Sequence, residues 1–299
     1  MSENISYLSE QFMEIWDSYE VSLKQLRTRK NYLQNIKRIT NYLKCDFLSI
    51  TPKQAQQFFT TLEQGEKNYS PKYLHSILSA CRSVAKYIET NRDYFNVDRY
   101  TNPFKFISLS GYSDNITIND IPSPKQIDEI LALAQKTSSQ LYVVLCLSIR
   151  CGISTSQICN LKANDIMEDK TGSLFIYVPK IGNKEKRYIK IPEDIQSLVT
   201  NYCASIYPQE YMFLNKRGSK LHMRTLQGMV HDLMGELGYN FSLQDIRNAC
   251  IAYMQKGGAT ATDVADYVGI SKRWMFRYNK VIDEIGPSAC DYNLIKIVE

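Results

Sequence analysis

The sequence predicts a mainly α-helical protein of two domains, with one small antiparallel β-hairpin. Apolar residues recur every three to four positions along most of the 299 residues, two short runs after residue 170 alternate instead, and a polar stretch without periodicity divides the chain. A chain of this length can bury two separate cores. The predicted division is a helical domain over 1–108, a linker over 109–121, a second domain over 122–285 and a tail over 286–299.

Composition narrows the function classes. The chain is 44% hydrophobic and 22% charged, which is typical of a globular protein, and its net charge of +5 is mild for a nucleic-acid binder. It contains no apolar run of membrane-spanning length and begins without a secretory pattern, so we expect a cytoplasmic protein with no membrane partner. Eight scattered cysteines without a C-x-x-C pair, beside only three histidines, predict buried free thiols rather than disulfides or a zinc site.

The predicted first domain contains four helices. Two apolar stripes, from Phe12 to Tyr19 and from Tyr32 to Leu43, define the first pair. The second pair begins behind the start signals Thr51-Pro52 and Ser70-Pro71, where a hydroxyl precedes a proline in the first helical turn.

Basic residues are concentrated in this domain. Charge alone leaves two interpretations open, a solvated helix face or a surface that contacts phosphates, because phosphate contact needs only positive groups on one side of the protein. The residues concerned are Arg27, Arg29, Lys30, Lys37, Arg38, Lys72, Arg82 and Lys86.

The second domain should begin with two helices and a hairpin. An amphipathic helix through Ile127 is followed by a buried one that ends at Cys151-Gly152. Residues 174–178 and 188–191 alternate as strands around a turn at 181–184.

Three successive helices are predicted in the last third of the chain. Ser242 can cap the first, which Gly257-Gly258 ends, and Thr262 can cap a second, short one that ends at Gly269. A third follows Ser271 and places Trp274 and Tyr278 on one face, four residues apart. Arg247 in the first helix and Tyr278 in the third therefore lie on helices that must pack together.

These residues resemble the active-site motifs of the tyrosine recombinases, the phage integrase family. That family has Gly-x-Arg-x-x-Glu, then His-x-x-Arg, then Gly-His-Ser and, about nine residues after that second histidine, a nucleophilic tyrosine. The corresponding segments here, in the same order and spacing, are Gly152-Ile-Ser154-Thr-Ser-Gln157, Gln244-Asp-Ile-Arg247, Gly269-Ile270-Ser271 and Tyr278.

The resemblance implies a fold, a partner and site residues. The fold is an N-terminal helical core-binding (SAM-like) domain followed by a C-terminal catalytic-type domain, and the partner is double-stranded DNA, bound as a homo-oligomer without a metal or other cofactor. Tyr278 takes the nucleophile position, Arg247 that of an active-site arginine, and Lys180 or Lys184 that of the hairpin lysine; the register leaves both lysines open. Further DNA contacts are implied for Lys184, Lys186 and Arg187. The tail either passes to a neighbouring protomer or packs on its own domain.

Three departures from the family predict a degenerate active site. Ser154, Gln244 and Ile270 replace an arginine and two histidines, and none of them carries charge at neutral pH. Losing one preorganised donor typically costs about 10² to 10³ in rate. Substitutes could come from Arg150, Lys272, Arg273, Arg277 or Trp274.

The individual residues also have plainer interpretations. Tyr278 could be an ordinary core tyrosine, one of 21 in the chain, and Arg247 could pair with Asp245 or Asp263 instead of a phosphate. A solvated hairpin tip is the alternative for the two lysines. Three functions stay open: an accessory or regulatory DNA-binding pseudoenzyme of recombination or of a mobile element, a weakly active integrase using Tyr278, and a helical interaction protein that has lost DNA binding.

Overall fold

A computed structural model describes residues 7–65, 69–111, 113–179, 186–207 and 209–286. The chain divides into two compact units, Met1–Ser113 and Asp114–Glu299. Both are built mainly from α-helices, and the second contains a small antiparallel sheet, which confirms the predicted fold class. No helix in these ranges combines the length and the apolar character that crossing a bilayer requires.

The first unit has four α-helices within the described residues, and the third and fourth begin at the predicted start signals. Ser9 and Ser70 accept hydrogen bonds from backbone N–H groups of the first helical turn, and Thr51 and Gln54 form a reciprocal capping box. The apolar faces meet around Phe12, Trp16 and other fully buried aromatic side chains. The helices are α1 (Glu10–Glu20), α2 (Leu26–Leu43), α3 (Pro52–Gln64) and α4 (Pro71–Thr90).

The second unit is organised around a helix that is buried on every side. All residues of this helix from Leu141 to Cys151 are buried, as expected for a segment with apolar residues all round. It packs against the helices Pro124–Thr137 and Leu243–Lys256. The helices of this unit within the described residues are α5 (Pro124–Thr137), α6 (Ser139–Cys151), α7 (Thr155–Asn160), α8 (Gln196–Ile206), α9 (Met223–Glu236), α10 (Leu243–Lys256), α11 (Ala261–Val268) and α12 (Asn279–Glu284).

The sheet has three antiparallel strands in the order β1 (Ile166–Glu168), β2 (Leu174–Val178) and β3 (Arg187–Lys190). Ile176 pairs with Ile189, so apolar side chains of β2 and β3 share the face that packs on the core. The predicted hairpin corresponds to β2 and β3, whereas β1 was missed because three residues are too few to show alternation. The predicted turn at 181–184 lies outside the described residues.

Two details of the last third differ from prediction. The cap of α11 is Thr260 and not Thr262, because the Thr260 hydroxyl accepts from the Asp263 N–H at 3.1 Å. Residues Lys272–Tyr278 form a 3-10 helix instead of an α-helix. With three residues per turn, positions four apart no longer share a face, and accordingly Tyr278 is 4% exposed while Trp274 is 39% exposed.

The end of α6 lies against the end of α11 through a glycine. Gly152 has φ +60°, and a Cβ placed on it would lie 2.5 Å from Cγ1 of Val268. Both the left-handed backbone and the close approach therefore require glycine at this position.

We expect Gly152→Ala to lower the free energy of unfolding by about 3 kcal/mol, from backbone strain and overpacking together. Gly228→Ala is the matched control, because Gly228 lies within α9 with open space around its Cα and should gain up to about 1 kcal/mol. Urea unfolding measures both. Equal effects of the two substitutions would contradict the assigned contact.

Candidate active site

Arg247 joins two helix ends. Its Nε donates to the carbonyl oxygen of Gly152 at 2.6 Å and its Nη2 to that of Val268 at 2.9 Å. Burial lowers the pKa of its guanidinium, while the neighbouring Tyr278 acts in the opposite direction. The carboxylates considered as its partners are used elsewhere, because Asp245 accepts from Ser242 and Asp263 accepts from Thr260. Arg247 thus lies at a turn of backbone carbonyls and keeps further N–H groups for another acceptor.

Tyr278 is close to Arg247 but is held by an amide. Its hydroxyl donates to Oδ1 of Asn248 at 3.0 Å, and Nε2 of Gln244 donates to the same oxygen at 2.9 Å. Burial raises the pKa of Tyr278 to about 12, although the charges of Arg247 and Arg277 oppose this shift. At neutral pH the phenol is protonated, and the amide oxygen that accepts its hydrogen bond is not a base.

The other two positions that differ from the family motifs, Ser154 and Ile270, also have structural roles. Ser154 is the N-cap of α7: its hydroxyl accepts from the Gln157 N–H at 3.4 Å, and Oε1 of Gln157 accepts from the Ser154 N–H at 3.0 Å. Ile270 is half-buried and packs against the hydrophobic core. Two positions of the family's first motif therefore build a capping box, and the second histidine position contributes to packing.

The basic residues that could substitute for the missing catalytic groups have other partners in the structure. Arg150 is 5% exposed and forms an ion pair with Asp194 at 2.7 Å. Lys272 lies 3.4 Å from Asp266. Arg273 and Arg277 lie over the exposed ring of Trp274, 5.5 Å and 5.7 Å from it, and Nε of Arg277 also donates to the carbonyl of Asp114 at 2.7 Å.

Arg187 is a residue that sequence reasoning placed only on the DNA backbone. It lies two residues before buried Ile189 in β3, so the two side chains share the face that points to the interior of the unit. An added Cβ on Gly269 would lie 1.2 Å from Nη1 of Arg187, which shows how closely the guanidinium packs on that glycine. Burial, and then the charge of Arg247, lower the pKa of Arg187 to about 10. An arginine at an inward position of an apolar strand is the signal that could have identified it.

A cavity of about 340 Å³ opens between the sheet and the turn after α11. Its charged lining consists of Lys186, Arg187 and Asp266. Within the described residues, no three His, Cys, Asp or Glu side chains are grouped so that they could hold a metal ion. Lys180 and Lys184, the two candidates for the hairpin lysine, lie outside the described residues. The remaining lining residues are Gln157, Val178, Pro179, Ala265, Gly269, Ile270 and Ser271.

In the first unit only part of the predicted basic set is exposed. Arg29 donates to the Leu23 carbonyl at 2.8 Å and lies 3.8 Å from Glu20, and Arg38 lies over the ring of Tyr73 at 5.1 Å. Five others are exposed on α2 and α4, and we call them the basic surface: Arg27, Lys30, Lys37, Lys72 and Lys86.

Arg82 differs from the expected exposed position. Its Nε donates to the carbonyl of Phe104 at 3.0 Å and its Nη2 to that of Ile107, so its guanidinium holds the loop that buries these two side chains. The reason is the loop's need for donors at carbonyls that no helix or strand satisfies. Arg82 is thus a structural residue of the first unit rather than part of the basic surface.

Comparison with known families gives the class of protein. The model of the phage integrase family matches residues 123–281, more than half of the chain. The chain belongs to the phage integrase family, and the resemblance drawn from its motifs is confirmed.

The relatives are distant and differ in length. Transposase B from transposon Tn554 of Staphylococcus aureus (strain Mu50) is 26% identical over 148 residues, which are 45% of this chain and 23% of the transposase. The chain thus matches only about a quarter of that relative's length. A tyrosine recombinase of Pseudothermotoga lettingae is 22% identical over 205 residues, 63% of this chain and 66% of that protein.

Solved structures share the fold. The Tn1549 transposon integrase in complex with circular intermediate DNA superposes with a TM-score of 0.68 at 15% identity, over 89% of this chain and 94% of that one. A lambda integrase dimer bound to a COC′ core site gives 0.66 at 14% identity, over 90% and 77%.

Arg82→Ala should lower the free energy of unfolding by about 2 kcal/mol, because it removes charged donors from partly buried carbonyls. Lys86→Ala removes the same charge from an exposed position one turn further along α4 and should change it by less than about 0.5 kcal/mol. Thermal and urea unfolding of both variants provide the measurement. A stable Arg82→Ala protein would return Arg82 to the basic surface.

Proposed function

We propose that this protein binds double-stranded DNA through a recombinase fold whose active site is degenerate, and that it has an accessory or regulatory role in DNA recombination or in a mobile element. The observation that supports this best is the structural role of the three residues that replace the family's catalytic groups. Ser154 caps a helix, Gln244 binds Asn248 and Ile270 packs on the core, so each side chain has a structural role in place of a catalytic one.

The three replacements reduce the charge and the proton donors available for phosphoryl transfer. Attack on a phosphodiester passes through a phosphorane with more negative charge than the ground state, and removing one preorganised donor costs about 10² to 10³ in rate. Three such groups are replaced here, and even with non-additivity the deficit is large. Tyr278 would also have to lose a proton held at high pKa.

DNA binding requires less from the protein. Ground-state phosphates are held by exposed lysines and arginines, and the basic surface supplies five of them. Structures with the same fold include lambda integrase as a dimer on a core site and as a tetramer on a Holliday junction, and the Tn1549 integrase on transposon right end DNA. By analogy we propose that a core-binding domain (1–108) and a catalytic-type domain (122–285), joined by the linker 109–121, each contact DNA, and that the chain assembles into a homo-oligomer.

The oligomer is proposed to form through the tail. Residues 287–299 lie outside the described residues, and exchange of the segment 286–299 with a neighbouring protomer or packing on its own domain are the two arrangements. Light scattering of the DNA complex, with and without residues from Gly286 onward, separates them, because only exchange makes the stoichiometry depend on the tail.

Neutralising three residues of the basic surface should weaken binding to all DNA sequences alike. Arg27, Lys30 and Lys37 are exposed on α2. Changing all three to Gln should make the slope of log K against log salt concentration less steep by up to about 2.7, at about 0.9 per lost phosphate contact. The matched control changes Lys53, Arg92 and Arg99, which are exposed residues of the same unit, to Gln and so removes the same charge. Fluorescence anisotropy of a labelled duplex across a salt series is the measurement. The interaction-protein alternative gains if the unaltered chain does not bind duplex even at low salt.

The wild-type chain should form little or no covalent Tyr278–DNA adduct. A nicked suicide duplex built on the protein's own site traps any attack, and a denaturing gel displays the adduct, with Tyr278→Phe as the control. An adduct that forms at an appreciable rate and needs Tyr278 would instead establish the weakly active integrase.

Restoring the family's charged groups tests whether the scaffold still positions Tyr278. The triple change Ser154→Arg, Gln244→His and Ile270→His should cost about 1 kcal/mol or more in the cap of α7, so folding is checked first. An adduct from the folded triple variant shows that only the charge was missing. Its absence assigns the loss to the packed position of Tyr278.

A further inference from the structure

We propose that Arg187 of β3 and Arg247 of α10 form a two-guanidinium site for one phosphodiester group, so that the sheet supplies the arginine that position 154 lacks. The inference rests on the proposed DNA-binding function and assigns to Arg187 a binding role in the centre of the site instead of on its periphery. It makes no claim about cleavage.

The two arginines meet at one turn. Nη2 of Arg247 donates to the carbonyl of Val268, and Nη1 of Arg187 packs on the following residue, Gly269. Burial and, after it, the charge of Arg247 lower the pKa of Arg187, which agrees with two like charges lying near each other. Both side chains come from regular elements, a strand and a helix, which fix their backbones.

No carboxylate of the described residues forms an ion pair with either arginine. The acid that lines the same cavity, Asp266, pairs with Lys272. Among the described residues, Nε and Nη2 of Arg187 are buried and have no hydrogen-bond acceptor. Two neighbouring desolvated cations whose donors are incompletely used are costly for the fold, and an anion with several oxygens removes both the repulsion and the unsatisfied donors.

The shape of the site favours a phosphate over a carboxylate or a chloride ion. A tetrahedral phosphate offers several oxygens, so it can accept both from Arg187 and from the N–H groups of Arg247 that the two carbonyls leave unused. The adjoining cavity of about 340 Å³ opens to solvent beside Lys186, so it can admit a backbone phosphate of a duplex. Gly269 is part of the proposed site, since any Cβ at this position would overlap the Arg187 guanidinium.

The test compares Arg187→Gln with Lys190→Gln in the full-length chain. Lys190 belongs to the same strand, but its side chain is exposed on the opposite face, so the control removes the same charge without touching the site. The probes are inorganic phosphate, followed through the melting temperature against chloride at equal ionic strength, and a random-sequence duplex, followed by anisotropy. Arg247→Gln is the positive control for the phosphate measurement.

We expect phosphate to raise the melting temperature of wild type and of Lys190→Gln. In Arg187→Gln and Arg247→Gln this added stabilisation should be lost. Duplex affinity should fall about 10-fold in Arg187→Gln, the loss expected for one charged hydrogen-bonding group, and clearly less in Lys190→Gln. In chloride, Arg187→Gln should melt no lower than wild type, because it removes a desolvated cation. A purely structural arginine would show the reverse.

Two outcomes overturn the proposal: an undiminished phosphate effect in Arg187→Gln, or equal losses of duplex affinity in Arg187→Gln and Lys190→Gln. If Arg187→Gln does not fold, Arg187→Lys keeps the charge without the planar fork, and wild-type values for that variant also overturn it. The phosphate and duplex measurements fail separately. If the chain binds duplex and Arg187 has no role, the inference is wrong and the proposed function stands. If phosphate stabilises the protein through Arg187 but the chain does not bind duplex, the proposed function is wrong and the phosphate site stands.

Discussion

The hydrogen bonds from Arg247 to the carbonyls of Gly152 and Val268 are the interaction on which the site depends. These carbonyls lie at the ends of α6 and α11, where backbone oxygens have no partner within their own helix. A cation is also favoured there by the helix dipole. Arg247 therefore stabilises the fold whether or not a phosphate is bound. Its presence beside three departed positions is explained by this structural contribution and is not by itself a sign of catalysis.

The hydrogen bonds of Tyr278 support the proposal that it is not an active nucleophile. Its hydroxyl is satisfied by Asn248, which also accepts from Gln244, so the residue at the family's histidine position belongs to the network that holds the tyrosine. A buried phenol whose O–H is hydrogen-bonded is stable in its protonated form, and the raised pKa of about 12 agrees with that preference. The network stabilises the packed tyrosine at the expense of the phenolate that attack on phosphorus would need.

Much of this arrangement could be predicted from the sequence. Start signals such as Thr51-Pro52 and Ser242, and the spacing of Arg247 and Tyr278, depend on local chemistry, and local chemistry can be read along the chain. The conformation of residues 272–278 could not, because an α-helix and a 3-10 helix have similar local preferences and tertiary packing decides between them. Likewise, nothing local separates Arg82 from Lys86, since the carbonyls that hold Arg82 come from a loop about twenty residues later.

Arg187 shows why a site can be missed even when the fold is identified. A motif comparison asks whether a given position carries a given residue, and at position 154 the answer is negative because Ser154 has become a helix cap. Electrostatics depends on where a charge lies in space and not on which element supplies it. A strand that alternates toward the interior can deliver a guanidinium to the turn after α11 as well as a helix can. The charge around a phosphate can thus be partly retained while the sequence motif is lost, and the two have to be assessed separately.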